Sequence, residues 1–143
     1  MPEISIAAYV PASPAQVFSQ VTAYPAQGTP EPRLLQEKYG SLLSQEGNSY
    51  IFQENTEAAN RWRYTFEPPG RRTAEAIQST WSDRTDTFEA SGEGTLWTIT
   101  WQPPGRGAPF LLRWLFFRLK DRKRVYDQIA RPVVEHFQQQ GYY

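Results

Sequence analysis

Two stretches concentrate side chains that could hold a small molecule. In Arg61-Trp-Arg-Tyr-Thr-Phe-Glu67, Trp62, Tyr64 and Phe66 share one parity; in Thr95-Leu-Trp-Thr-Ile-Thr-Trp101, Trp97, Ile99 and Trp101 do the same. Alternate residues of a strand point to one side, so each stretch presents an aromatic face. Such faces either line an apolar cavity of roughly 300–1,000 Å³ with few polar groups or fill a solid core, and periodicity does not separate the two. Nearer the C-terminus, Arg122 and Tyr126 stand one helical turn apart in an otherwise apolar stripe. An arginine there either anchors a ligand carboxylate or phenolate bidentately, or makes a structural ion pair or reaches solvent along its stem. Glu75 and Asp86 are candidate partners for it, and both are expected to face solvent.

Other chemistries find little support. With no cysteine, disulfides and thiolate metal sites are excluded, and one histidine cannot build a histidine cluster. There is no Gly-x-Ser-x-Gly elbow, no phosphate-cradling glycine loop and no identifiable pair of general acid–base carboxylates. Catalytic residues are therefore unassigned, and neither metal nor cofactor is expected. His136, beside Phe137, is placed to favour a helix C-terminus rather than to catalyse.

The chain is neutral, with fifteen basic and fifteen acidic residues, but unevenly so. Gly105–Arg131 holds eight basic residues against Asp121 and Asp127, a surplus of six positive charges. Here Trp114, Phe116 and Phe117 interleave with arginines and lysines. Trp114 and Phe117 could meet an anionic membrane surface peripherally, or pack on strand ends or a second subunit in a homodimer. Nucleic acid is not expected as a partner, because the aromatic faces are expected to be covered. No secretory leader and no run long enough to span a bilayer is seen, which makes a cytoplasmic protein the default.

The elements that must position these residues follow from the same patterns. Glu3–Val10 alternates as a half-buried strand, and Ser13-Pro14-Ala15-Gln16 is a capping box with proline at the first helical position. Tyr24–Pro32, with three prolines and a glycine, is a loop or a broken second helix, and Leu34–Tyr39 is a helical turn or a strand edge. Strands over 41–45 and 50–54 flank a Gln-Glu-Gly-Asn-Ser turn. Strands follow at 61–67, 72–79, 83–90 and 95–101, with Pro-Pro-Gly turns at 68–70 and 103–105. Short connections favour an antiparallel sheet. From Pro109 to Gln140 an amphipathic helix places Leu111, Leu115, Leu119, Arg122, Tyr126, Ile129, Val133 and Phe137 along one side. It is the element expected to roof the aromatic face. Straight, it would run about 45 Å, and Pro132 is expected to kink it near Gln128–Arg131 or split it in two.

Together these segments resemble the START/Bet v 1-like (SRPBCC) superfamily, including its polyketide cyclase/dehydrase-like branch. The resemblance rests on Ile4–Val10 followed by Pro11-Ala-Ser-Pro-Ala-Gln-Val-Phe18, on Trp62–Phe66 with Pro68-Pro69-Gly70-Arg71, on Glu93-Gly94-Thr95 before the last strand, and on the terminal helix. It implies an α+β helix-grip fold over residues 1–143 as a single domain: a curved antiparallel sheet wrapped around a long C-terminal helix, with one or two short helices after the first strand. It also implies a binding or carrier role for a small hydrophobic, lipid-like or aromatic ligand between sheet and helix, at Trp62, Tyr64, Phe66, Trp97, Ile99, Trp101, Arg122 and Tyr126. The alternative is a polyketide cyclase/dehydratase-type enzyme in the same cavity, with Arg122 or a tyrosine stabilising an enolate. Fold alone does not choose between these.

Overall fold

The computed structural model describes residues 4–56, 60–78, 83–102 and 122–139. In β1 (Ile4–Val10), Ile6, Ala8 and Val10 are buried while Ser5, Ala7 and Tyr9 are exposed, so the alternation in the sequence becomes an inner and an outer face. The capping box then forms as the sequence requires: Ser13 Oγ accepts from Gln16 N, and the Gln16 side chain accepts from Ser13 N. α1 (Pro14–Thr22) buries Val17, Phe18, Val21 and Thr22.

The ambiguous segment is helical. α2 (Pro32–Tyr39) starts on its proline and buries Leu35 and Tyr39, one turn apart. It ends at Gly40, whose φ of 113° suits glycine. A Cβ at this position would also collide with the backbone of Gln53.

Six strands follow: β2 (Ser41–Glu46), β3 (Ser49–Gln53), β4 (Arg61–Glu67), β5 (Arg71–Gln78), β6 (Arg84–Ser91) and β7 (Gly94–Trp101). All pairings are antiparallel, in the order β1-β7-β6-β5-β4-β3-β2. The chain crosses from β1 to the far edge through α1 and α2, then returns hairpin by hairpin until β7 pairs with β1. Register shifts at Leu42/Ser44 and Arg61/Trp62 leave Leu43 of β2 and Ile77 of β5 out of the pairing.

Beyond residue 121 the chain runs as a helix in three parts. α3 (Arg122–Val125) passes into a π-helical turn, Tyr126–Ala130, and then α4 (Arg131–Gln139). The Arg131 N–H bonds back to the Tyr126 carbonyl, five residues away. Pro132 thus neither ends the helix nor divides it. Its ring would crowd the carbonyl of residue 128 in a regular α-turn, and a wider preceding turn accommodates it. Ala130 and Phe137 are buried, and Tyr126, Ile129, Val133 and Val134 pack against the same core. This part of the helix lies on β1 and α1. The expected start of the helix at Pro109, and Trp114 and Phe117, lie outside the described residues.

Candidate functional site on the concave face

Strand register sets the inner face in rows. One row runs Ile6, Ile99, Asp86, Arg72, Phe66 across β1, β7, β6, β5 and β4; the next runs Trp101, Arg84, Ala74, Tyr64, Tyr50 from β7 to β3. Beyond it, Ala76 pairs with Trp62 and Trp62 with Phe52. β5 therefore presents two alanines to the inner face, Ala74 buried and Ala76 partly exposed, between Trp101 and Arg84 on one side and Tyr64 and Trp62 on the other. At about 4.8 Å per strand, β7 and β4 stand roughly 14 Å apart across β6 and β5.

Charge sits in the middle of the face. Asp86 is fully buried, and Arg72 is 4% exposed. Asp86 Oδ1 accepts from Arg72 Nη2 at 3.0 Å and from Arg84 Nε at 2.8 Å. Its Oδ2 accepts from Arg84 Nη2 and from the Trp97 indole, both at 2.9 Å. Four donors saturate the carboxylate. Arg72 Nη1 donates to the Tyr39 hydroxyl at 2.9 Å, which in turn donates to the Thr22 carbonyl at 2.6 Å. Tyr39 is thus a strut joining the ends of α1 and α2 to β5. Among the described residues, Arg72 Nε is a buried donor with no partner.

The ionisation states follow from these contacts. Burial by itself would raise the Asp86 pKa, but the Arg72 and Arg84 guanidiniums, with hydrogen bonds from Arg84 and Trp97, overcome it and hold the carboxyl down at about 2. Burial would likewise lower the Arg72 pKa, and the Asp86 charge reverses that, keeping the guanidinium protonated. Burial pushes the Tyr64 phenol up to about 12, and raises Tyr39 against the opposing pull of Arg72. Lys38 is lowered by burial and by the Arg72 and Arg84 charges; its ammonium lies 5.9 Å from the centre of the Tyr39 ring.

The residues singled out in the sequence divide into two groups. Phe66, Trp97 and Ile99 are packed in the core: Tyr24 stacks on Phe66 at 4.4 Å, and Trp97 stacks on Phe88 at 6.2 Å. Trp62 is nearly buried, its indole donating to Glu54 Oε1 at 2.8 Å. Tyr64, Trp101 and Tyr126 stay partly exposed. Tyr64 meets the Tyr39 ring at 4.3 Å, and Trp101 lies 5.7 Å from the Arg84 guanidinium. The roof over Tyr64 and Phe66 thus includes Tyr39 and Tyr24, where the sequence suggested the long helix alone. The Arg122 side chain lies outside the described ones. Asp86, expected in solvent, is instead buried, because Arg72, Arg84 and Trp97 provide hydrogen bonds that replace water. Glu75 does face solvent, paired with Arg63 at 3.1 Å.

Tyr39, Arg72 and Arg84 escaped the sequence reading. A signal was present: Arg84 and Asp86 share the parity of Phe88, the large apolar residue of β6, so all three must point inward together. No group of three or more metal-binding side chains occurs among the described residues. A separate cleft of about 430 Å³ lies between the loop before α2 and the β2–β3 turn, lined by Tyr24, Pro30, Leu35, Gln45 and Tyr50 among others.

No protein-family model matches the sequence, and no curated protein is significantly similar to it. Solved structures are similar in fold. The di-domain ARO/CYC StfQ from the steffimycin biosynthetic pathway aligns with a TM-score of 0.58 at 12% identity, over 99% of this chain and 52% of that one. This chain therefore spans about half of that protein. An AHSA1-like protein from Rhizobium etli aligns with a TM-score of 0.52 at 17% identity, covering 94% of this chain and 80% of that one. A START superfamily protein from Mycobacterium smegmatis gives 0.51 at 11% identity, covering 96% and 97%. The chain has the START/Bet v 1-like helix-grip fold, a curved antiparallel sheet with short helices after its first strand and a C-terminal helix laid on it.

Proposed function

We propose that this protein binds or carries a small hydrophobic molecule, aromatic or lipid-like, on the concave face of its sheet. The observation that carries the reading is the pair of alanines on β5 between aromatic walls: Ala74 and Ala76 lie between Trp101 on β7 and Tyr64 and Trp62 on β4. Tyr64 and Trp101 face inward yet remain partly exposed, as residues lining a binding trough would be. Residues 1–143 act in this reading as one domain of a cytoplasmic protein, with no nucleic-acid partner. No helix among the described residues is long and apolar enough to cross a membrane.

The test is titration of the full chain with the neutral aromatic 2-naphthamide, followed by tryptophan fluorescence and calorimetry. Saturable binding that weakens in Trp101→Ala and Tyr64→Ala, both still folded by circular dichroism, is the expected result. Absence of saturable binding would defeat the reading. A cyclase- or dehydratase-type enzyme is the second reading, favoured by the guanidiniums and phenols that share the face. Stabilising an enolate needs positioned charge rather than a nucleophile. Turnover of a polyketide-like substrate, lost in a folded Arg84→Gln variant, would support it.

A further inference from the structure

The charges on the concave face do not balance. Among the described residues, Asp86 is the single carboxylate bonded to Arg72 and Arg84, and its four hydrogen bonds leave it no capacity for more. Glu54, at the Trp62 end, is engaged by the Trp62 indole at 2.8 Å and the Asn60 amide at 3.3 Å. Among the described residues, two guanidiniums against one buried carboxylate leave one positive charge in excess, and Lys38 beside Tyr39 adds another. A cation taken out of water without a counter-charge is costly, and Arg72, with an orphaned Nε, is as deeply buried as the core around it.

Arg84 is where this excess meets solvent. Its side chain is 23% exposed, against 5% for Arg72. It turns Nε and Nη2 to Asp86, leaving Nη1 outside that pair. Its guanidinium lies over the Trp101 ring, and across Ala74 the same row continues to Tyr64. A flat ring set against Ala76, the partly exposed one of the two alanines, would have an anchored cation at its edge and an aromatic wall on either side.

Resting on the apolar-ligand reading and going beyond it, we infer that the natural ligand is a planar aromatic carboxylate, its carboxylate held at Arg84 with Lys38 and Arg72 supplying the surrounding positive charge. Asp86 is then a positioning residue: it fixes both guanidiniums in place and prevents them from collapsing onto the ligand ring. A charge-assisted hydrogen bond from Arg84 Nη1 to the ligand carboxylate supplies the specificity.

The experiment compares 2-naphthoate with its neutral counterpart 2-naphthamide on the full chain at neutral pH, by tryptophan fluorescence and calorimetry. Naphthoate is expected to bind about tenfold or more tightly than the amide. Added salt should weaken naphthoate while leaving the amide unchanged, Arg84→Gln should weaken naphthoate at least about tenfold more than the amide, and Arg84→Lys should restore part of the difference. Lys38→Gln, beside Tyr39 in the last turn of α2, should weaken naphthoate alone, and it decides the matter if Arg84→Gln does not fold. Equal affinity for the two probes, or equal weakening of both by Lys38→Gln, overturns the carboxylate assignment and leaves the apolar-ligand reading standing. Failure of both probes to bind removes the reading and this inference together.

Discussion

Removing the Asp86 carboxylate would strand two guanidiniums on the inner face. Asp86→Ala is therefore expected to destabilise the fold by about 3–5 kcal/mol, the usual consequence of breaking one side of a buried charge pair, measurable by urea unfolding. Surface Glu75, paired in the open with Arg63, should by contrast cost at most about 1 kcal/mol when replaced by alanine. The Asp86 pKa falls to about 2 in the folded state, below an unfolded value of about 3.9. An acid depressed in this way contributes stability above its unfolded pKa and loses it as pH falls through its folded one. The wild-type chain should thus lose on the order of 2 kcal/mol between about pH 4 and pH 2 through this residue. Asp86→Asn, which has no such titration, should give a flatter urea-midpoint curve over that window.

At the level of elements, the sheet and its two early helices are joined at a few demanding positions. Gly40 stops α2 and turns directly into β2, with positive φ and Gln53 backbone against it. Gly40→Ala should destabilise by more than the roughly 1 kcal/mol of a simple positive-φ penalty, because a methyl group meets backbone that cannot move aside. Gly47, at a φ of 61° in the β2–β3 turn with open space around it, offers the control: alanine there should cost the conformational term alone. The cap of α1 is more local. Ser13→Ala removes the acceptor for Gln16 N and should lower stability by about 1 kcal/mol in thermal unfolding. Both the cap and the strand alternation of β1, β4 and β7 were legible because their causes lie within a few residues. The helical state of α2 was not: eight residues whose one starting signal is Pro32 are too few to outweigh the loop-like composition before them.

Across the whole molecule, the C-terminal helix closes the fold on β1 and α1. Phe137, 4% exposed, is its main anchor in the core, and Phe137→Ala should cost about 3–5 kcal/mol in denaturant unfolding through the cavity it leaves. The sequence by itself determined the helix-grip plan: a capped helix after an alternating strand, strands separated by tight turns, and a long amphipathic helix that had to be buried. Each of these is written in local spacing, and local spacing decides which side chains share a face. Which faces meet was decided only by the tertiary structure. Asp86 is fourteen residues from Arg72 and eleven from Trp97 along the chain, yet antiparallel register sets it beside the first and within a hydrogen bond of the second. Tyr39 reaches Arg72 from a different helix altogether. A buried charge is tolerated only when its partners are present, and those partners come together only when the strands are paired. The sequence therefore places such residues in strands without revealing that they belong inside.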